Sequence, residues 1–120
     1  MSIKLFDSEL AVMNVLWEHG DMKAREISDI LGETIGWNIN TTYTVIKKCV
    51  SKGAIERREP KFMCHALISR EEAQKASIHE LSEKMFGGSP EKMFASLLAS
   101  SRPSKEELES LKKMIREYEE

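Results

Sequence analysis

Residues 37–53 constrain the fold of this chain most, because helical spacing divides them into two unlike faces. At 100° per residue, one face carries Ile39, Thr42, Ile46, Cys49 and Val50, with Val45 at its edge, and the other carries Asn40, Thr41, Thr44, Lys47, Lys48 and Ser51. The first face can pack into a core, while the second offers short polar groups followed by cations. This order fits an ordinary amphipathic surface helix, and equally a helix that enters a DNA groove by its N-terminal end.

Two shorter helices are predicted before this stretch. The first begins after Asp7 as N-cap, with Phe6 stapled against the next turn, and it stops at Gly20. Residues 21–23 form a brief extended link, and the second helix runs over residues 24–31 until Gly32. Helix, turn and two-faced helix in succession are the order of a helix-turn-helix unit.

The apolar period changes from 3.6 to 2 after Gly53. Residues 54–58 and 62–67 are predicted to be two strands joined by a turn at residues 59–61, where proline fixes the backbone. Such a ribbon after a helix-turn-helix is a wing. Its tip carries Arg58 and Lys61, which could reach a phosphate, although hairpin tips are often charged only because they are solvated.

Three more helices follow, with Ser69, Ser89 and Ser104 as N-caps and breaks at residues 87–88 and 102–103. Buried positions in the first of them are expected at Ala73, Ile78, Leu81 and Met85. About 50 residues cannot bury three apolar faces alone, so the helices either fold back on the N-terminal part or, as we favour, pack against a second copy. The expected dimer contacts are Leu81, Met85, Phe94, Leu97, Leu98, Leu108, Leu111, Ile115 and Tyr118, the last four forming a coiled-coil-like seam.

Charge is unevenly distributed along the 120 residues, whose formal net charge is −2. Residues 37–61 contain six Lys or Arg against two Glu, a local net charge of +4, so the basic surface is confined to the two-faced helix and the wing. No apolar run approaches the ~18 residues of a membrane span, and the N-terminus lacks the pattern of a secretory signal. These patterns predict a cytoplasmic protein without membrane insertion.

Catalytic, metal and cofactor motifs are missing from the sequence. Cys64 and His65 are neighbours on a strand and point to opposite faces, so they cannot bind one metal as a pair. Both thiols, Cys49 and Cys64, lie among apolar residues, which raises a thiol pKa and argues against a nucleophile. We therefore expect no enzyme activity, no catalytic residues, no bound metal and no cofactor.

Several segments resemble the BlaI/MecI penicillinase-repressor family, which includes CopY-like copper-responsive repressors. Residues 9–17, ELAVMNVLW, resemble the E-x-x-V-M-x-x-[LI]-W opening of that family, and residues 24–27, AREI, resemble its second helix. Trp37, residues 41–44 (TTYT) and residues 52–53 (KG) resemble its recognition helix, and residues 69–72 (SREE) resemble a segment after its wing.

Membership would imply a mostly α (α+β) fold, with a winged helix-turn-helix DNA-binding domain over residues 1–68 and a three-helix dimerisation domain over residues 69–120. It would imply a cytoplasmic homodimer that represses transcription from a palindromic DNA operator, of the antibiotic-resistance (β-lactamase) regulator type. The family's DNA contacts fall here on Asn40, Thr41, Tyr43, Thr44 and Lys48. We add Lys47, Arg58 and Lys61 as phosphate contacts from their positions. A winged-helix module for protein assembly, without DNA, is the alternative.

The sequence departs from the family pattern in the C-terminal part. Antibiotic-responsive members are cleaved at an Asn-Phe bond, which implies a membrane sensor protease or its pathway as a partner. The corresponding candidate cleavage region here is Ser100-Ser101, which argues against a protease of the same specificity. The CxC…CxC tail of copper-responsive relatives is also missing, and Lys48 replaces an Arg, which keeps the charge but loses the bidentate geometry.

Overall fold

The computed structural model describes residues 3–119, so Met1, Ser2 and Glu120, the outer ends of the two predicted domains, lie outside the described residues. The elements in chain order are α1 (Asp7–His19), β1 (Met22–Lys23), α2 (Ala24–Ile35), α3 (Ile39–Ser51), β2 (Ile55–Arg58), β3 (Met63–Ala66), α4 (Arg70–Met85), α5 (Pro90–Ser101) and α6 (Lys105–Glu119). This mostly helical order with a small sheet confirms the predicted fold class.

The three strands form one antiparallel sheet in the order β1-β3-β2. Ile55 pairs with Ala66 and Arg58 pairs with Met63, which is the predicted wing, with each strand shorter at its ends than the sequence indicates. The link at residues 22–23 adds a third strand, because Met22 pairs with Cys64. The base of the wing is thereby fixed to the segment between α1 and α2.

The core lies among α1, α2, α3 and the sheet. Its fully buried side chains include Met13, Leu16, Ile27, Ile46 and Ile55. The indole Nε1 of Trp17 donates a hydrogen bond to the carbonyl oxygen of Ile68, 2.9 Å away. This bond, made from α1, fixes the segment that leads into α4.

Four local predictions about the first half of the chain were wrong. The N-cap of α1 is Phe6, not Asp7, and the Phe6 ring is 58% exposed rather than stapled against the next turn. Helix α2 continues through Gly32 to Ile35, because the left-handed residue that ends it is Gly36 (φ 74°). Ile39, predicted to face the core, is 47% exposed, whereas Val45, placed at the edge, is buried.

The structure divides into two compact units, residues 3–78 and 79–119 of the described chain, and α4 contributes to both. The boundary predicted between residues 68 and 69 stays a prediction. The predicted serine caps of α4, α5 and α6 are confirmed: Ser69 Oγ accepts from the Glu72 amide at 3.0 Å, Ser89 Oγ from the Lys92 amide at 3.2 Å, and Ser104 Oγ from the Glu107 amide at 3.1 Å.

The three C-terminal helices contain no buried residue in the single chain. Ile78, Leu81 and Met85, predicted to be buried, are 54%, 46% and 71% exposed. The prediction that these three positions are buried is therefore wrong for the single chain, as far as residues 3–119 describe it.

A buried ion pair joins the start of α1 to the end of α3. Glu9 is 2% exposed, and its Oε1 accepts hydrogen bonds from the Phe6 amide at 2.8 Å and from Lys52 Nζ at 2.6 Å. Lys52 Nζ also donates to the carbonyl oxygen of Lys4 at 2.8 Å and lies 4.2 Å from the centre of the Phe6 ring. Burial alone raises the pKa of Glu9, but the bonds from Lys52 and Phe6 outweigh it and lower that pKa.

We expect Glu9→Gln to lower the free energy of unfolding by about 2 kcal/mol at pH 7, because Lys52 loses its charged partner. The pKa of Glu9 is lowered from 4.5, so the pair contributes fully above pH 4.5 and is lost as the pH falls through the lowered value. Urea unfolding at several pH values should therefore show the difference from wild type narrowing in acid.

The matched control is Glu109→Gln, which breaks an i,i+3 pair with Lys112 whose two side chains are each 61% exposed. It should cost less than about 0.5 kcal/mol at any pH, as exposed pairs do. Equal losses for the two variants at pH 7 would contradict the special role of the Glu9–Lys52 pair.

Candidate nucleic-acid interface

The exposed face of α3 is set by how the helix begins and what it buries. Asn38 is the N-cap, and its Oδ1 accepts a hydrogen bond from the Thr41 amide at 2.8 Å. Thr42, Val45, Ile46 and Cys49 are buried against the core. The opposite side therefore leaves the predicted contact residues Asn40, Thr41, Thr44, Lys47 and Lys48 exposed on a single face.

The polar groups of this face are not equally free. The Thr44 hydroxyl donates to the carbonyl oxygen of Asn40 at 2.8 Å, so its proton is used within the helix and its oxygen remains an acceptor. The side chains of Asn40 and Thr41 make no hydrogen bond among residues 3–119. Asn40 can therefore offer a donor and an acceptor together, which is what the edge of an adenine requires.

Tyr43 differs from its neighbours because it is half-buried. Its ring meets the Phe62 ring edge to face, with centroids 5.8 Å apart and planes at 82°. The guanidinium of Arg57 lies 3.7 Å from the centre of the same Phe62 ring. Contacts thus run from the wing through Phe62 to α3, and they fix the orientation of Tyr43.

Arg57 is a residue that sequence reasoning missed. It shares the face of β2 occupied by the buried Ile55, and its Nε donates to Glu59 Oε1 at 2.6 Å. That bond, with a second one from the Phe62 amide, lowers the pKa of Glu59. The alternation of side chains along a strand places Arg57 and Arg58 on opposite faces of β2, which the sequence indicates. The contact between Arg57 and the Phe62 ring depends on the backbone conformation of Phe62 (φ 51°), where the chain returns toward β2.

The predicted phosphate contacts of the wing differ in their surroundings. Arg58 already pairs with Glu56, and its Nη1 lies 3.5 Å from Asp21 Oδ2, whose other oxygen lies 2.8 Å from His65 Nδ1. Lys61 is exposed and makes no ion pair within the described part of the chain. Lys61 is therefore ready for an anion, whereas Arg58 must first exchange its carboxylate partners.

The lysines at the end of α3 differ in whether they form an ion pair. Lys52 is held by Glu9, as described above, and serves the fold. Lys47 and Lys48 are exposed, and neither forms an ion pair with any residue from 3 to 119. The positive charge of the exposed face is thus carried by the two lysines that directly follow the short polar side chains.

The thiols are poor candidates for chemistry. Burial raises the pKa of the Cys49 thiol to about 12 and that of the Cys64 thiol to about 11. Among the described residues, no group of three or more His, Cys, Asp or Glu side chains is arranged to hold a metal ion. The described helices also include none that is long and apolar enough to cross a membrane.

Comparison with known proteins agrees with this geometry. The family model described as penicillinase repressor matches residues 5–117. The chain belongs to the penicillinase repressor family. The match covers nearly the whole chain, so it includes the C-terminal helices as well as the winged helix.

Individual relatives support the same assignment. The penicillinase repressor of Bacillus licheniformis is 24% identical over 117 residues, which is 96% of this chain and 91% of that protein. The solved DNA-binding domain of the repressor BlaI is 26% identical, with a TM-score of 0.54 over 60% of this chain and 93% of that one. A Bacillus licheniformis BlaI monomeric form, solved in complex with the blaP half-operator, is 27% identical, with a TM-score of 0.51 over 57% of this chain and 87% of that one.

We expect Phe62→Ala to release the wing from α3. The substitution removes the ring that Arg57 and Tyr43 both contact, so unfolding should become easier by about 1–2 kcal/mol, and amide hydrogen exchange should rise in β2 and β3. Leu67→Ala is the control, since Leu67 is 49% exposed and makes no contact of this kind. Unchanged exchange in residues 55–66 of Phe62→Ala would contradict the coupling.

Proposed function

We propose that this protein is a DNA-binding transcriptional repressor that acts as a homodimer on a palindromic operator. One observation carries the proposal: α3 exposes short polar side chains and then two unpaired lysines on one face, beside a wing. The B. licheniformis BlaI form that was solved with its half-operator is similar in fold and 27% identical in sequence, which supports a DNA partner for this face. Regulation of antibiotic resistance and a cytoplasmic location follow as parts of the same proposal.

The proposed docking places the N-terminal half of α3 in the major groove. Asn40, Thr41 and Thr44 read base edges, while Lys47 and Lys48 bind the flanking phosphates. Tyr43, fixed by Phe62, contacts the DNA only with the part of its ring that stays exposed. Lys61 binds a phosphate from the wing, and Arg58 joins it when the DNA displaces Asp21 and Glu56.

Dimerisation is supported by the exposed apolar side chains of the C-terminal helices. Phe94, Leu97 and Leu98 on α5 are 59%, 53% and 44% exposed, and Ile115 and Tyr118 on α6 are 58% and 93% exposed. Leaving such groups in water forgoes roughly 25 cal/mol for each Å² that a partner could cover. A second copy offers the same surface by twofold symmetry and would also present two α3 helices to two half-sites.

Control by proteolysis in the Ser100-Ser101 region, at the end of α5, belongs to the same proposal. Ser101 is the last residue of α5, and Ser100 Oγ donates to the carbonyl oxygen of Ser96 at 2.8 Å. A protease of the pathway would have to unwind this helical turn before cutting there. A protease that cleaves this chain at Ser100-Ser101 would therefore need a sequence specificity other than Asn-Phe.

We expect Thr44→Ala and Lys48→Ala to distinguish sequence-specific base contacts from phosphate contacts. An operator is first selected from a randomised duplex pool, and binding is then measured by anisotropy on that operator and on a mixed-sequence duplex. Thr44→Ala should lose about 1–3 kcal/mol on the operator alone, whereas Lys48→Ala should weaken both duplexes and lower the salt slope by about one. Equal losses of affinity for both duplexes in Thr44→Ala would show that Thr44 does not contact base edges. No binding by wild type at low salt would favour the protein-assembly module.

We expect Leu97→Glu to dissociate the dimer without unfolding either unit, because Leu97 is exposed in the single chain. Sedimentation equilibrium should show wild type as a dimer and the variant as a monomer at micromolar concentration, with unchanged circular dichroism. Ser77→Glu introduces the same charge in α4 outside the expected dimer contacts and should stay dimeric. A wild-type monomer at every concentration would contradict the proposed assembly.

A further inference from the structure

Two depressions adjoin the exposed face of α3. The second of them includes the start of α1. Phe6, Ser8 and Glu9 form its wall on the α1 side, and the α3 side is lined by Thr44, Lys47, Lys48, Ser51 and Lys52. A first depression lies nearer the N-terminus of α3 and is lined by Ile39, Asn40, Tyr43, Thr44 and Lys47. The two share Thr44 and Lys47, so one continuous surface runs from the proposed base-reading residues to the first turn of α1.

The charge of the second depression is positive although Glu9 contributes to it. Lys52 and the Phe6 amide bind the Glu9 carboxylate, and the charge of Lys48 also acts on it, but neither Lys47 nor Lys48 forms an ion pair among the described residues. Asp7 precedes Ser8 but does not line the depression. An anion in this depression would therefore meet two ammonium groups that are not engaged in an ion pair.

Hydroxyl donors complete the arrangement. The side chains of Ser8 and Ser51 make no hydrogen bond among residues 3–119, and both belong to the lining. A phosphate oxygen accepts hydrogen bonds readily from hydroxyl groups and from ammonium groups. The first turn of α1 adds the positive end of its helix dipole, which strengthens the preference for an anion without being needed to explain it.

We propose that this depression binds one phosphate of the DNA backbone, with Lys48 as its counter-charge and Ser8 and Ser51 as hydrogen-bond donors. The inference rests on the proposed function and adds to it a contact from α1. Because Glu9 and Lys52 fix the start of α1 against the end of α3, the donors from both helices are held in place before DNA arrives. The contact would thus set how deep and at what angle α3 enters the groove.

The test places a negative charge in the depression from either side. Ser8→Glu and Ser51→Glu are made in the full chain, and their binding to the selected operator and to mixed-sequence duplex is measured. The salt concentration is varied from about 0.05 to about 0.3 M, which changes the Debye length from roughly 14 to roughly 6 Å. Each variant should bind both duplexes about fivefold or more weakly at 0.1 M salt, with a salt slope lower by about one. Ser8→Ala should show a smaller loss on both duplexes, of about two- to fivefold.

The controls separate binding from folding. A glutamate at position 8 favours the dipole of α1, so Ser8→Glu is expected to keep the helix. Ser77→Glu adds the same charge outside the depression and should bind DNA as wild type does. Thermal unfolding of all variants, followed by circular dichroism, verifies that the fold is kept.

Two results would overturn the assignment while leaving the proposed function intact. The first is wild-type affinity and salt slope for both Ser8→Glu and Ser51→Glu on a duplex that wild type binds. The second is saturable binding of inorganic phosphate that Ser51→Glu abolishes while its duplex binding is unchanged, which would assign the depression to a free anion. A wild-type chain that binds no duplex would instead refute both the function and this contact.

Discussion

The Glu9–Lys52 pair is the interaction on which the arrangement of this winged helix depends most. It joins residues 43 positions apart, and it does so with a carboxylate that is almost fully buried. Such a group is tolerated only if its charge is compensated, and the Phe6 amide and Lys52 supply that compensation. Because Lys52 lies at the end of α3 and Glu9 in the first turn of α1, the same contact fixes the direction of the exposed polar face of α3.

The wing is held by a different kind of contact, which acts on the same helix. Phe62 lies between Arg57 and Tyr43, so the strand pair is packed against the middle of α3 rather than left as a free hairpin. The pairing of β3 with β1 holds the wing from its other edge. Helix and wing can therefore meet a DNA surface as one preorganised unit, which spares the ordering cost that a mobile wing would bring to binding.

The second unit has the opposite character. Its helices α5 and α6 are well capped by Ser89 and Ser104, yet neither contains a fully buried residue in the single chain. Local hydrogen bonds and intrinsic propensity define the helices, while most of their large apolar side chains are exposed in the single chain. Such a division fits the proposed homodimer, in which the DNA-binding unit is stable by itself and the dimer contact joins two copies.

The sequence by itself determined the helices, the wing, the serine caps and the exposed polar face of α3, because periodicity and capping act within one or two turns of chain. It misplaced Ile39 and the end of α2, since burial depends on what lies opposite and a helix can pass through one glycine. Only the tertiary structure decided that Glu9 meets Lys52, that Arg57 stacks on Phe62 and that Asp21 engages Arg58. Those contacts join residues that are distant in sequence or separated by a turn whose geometry no local pattern specifies.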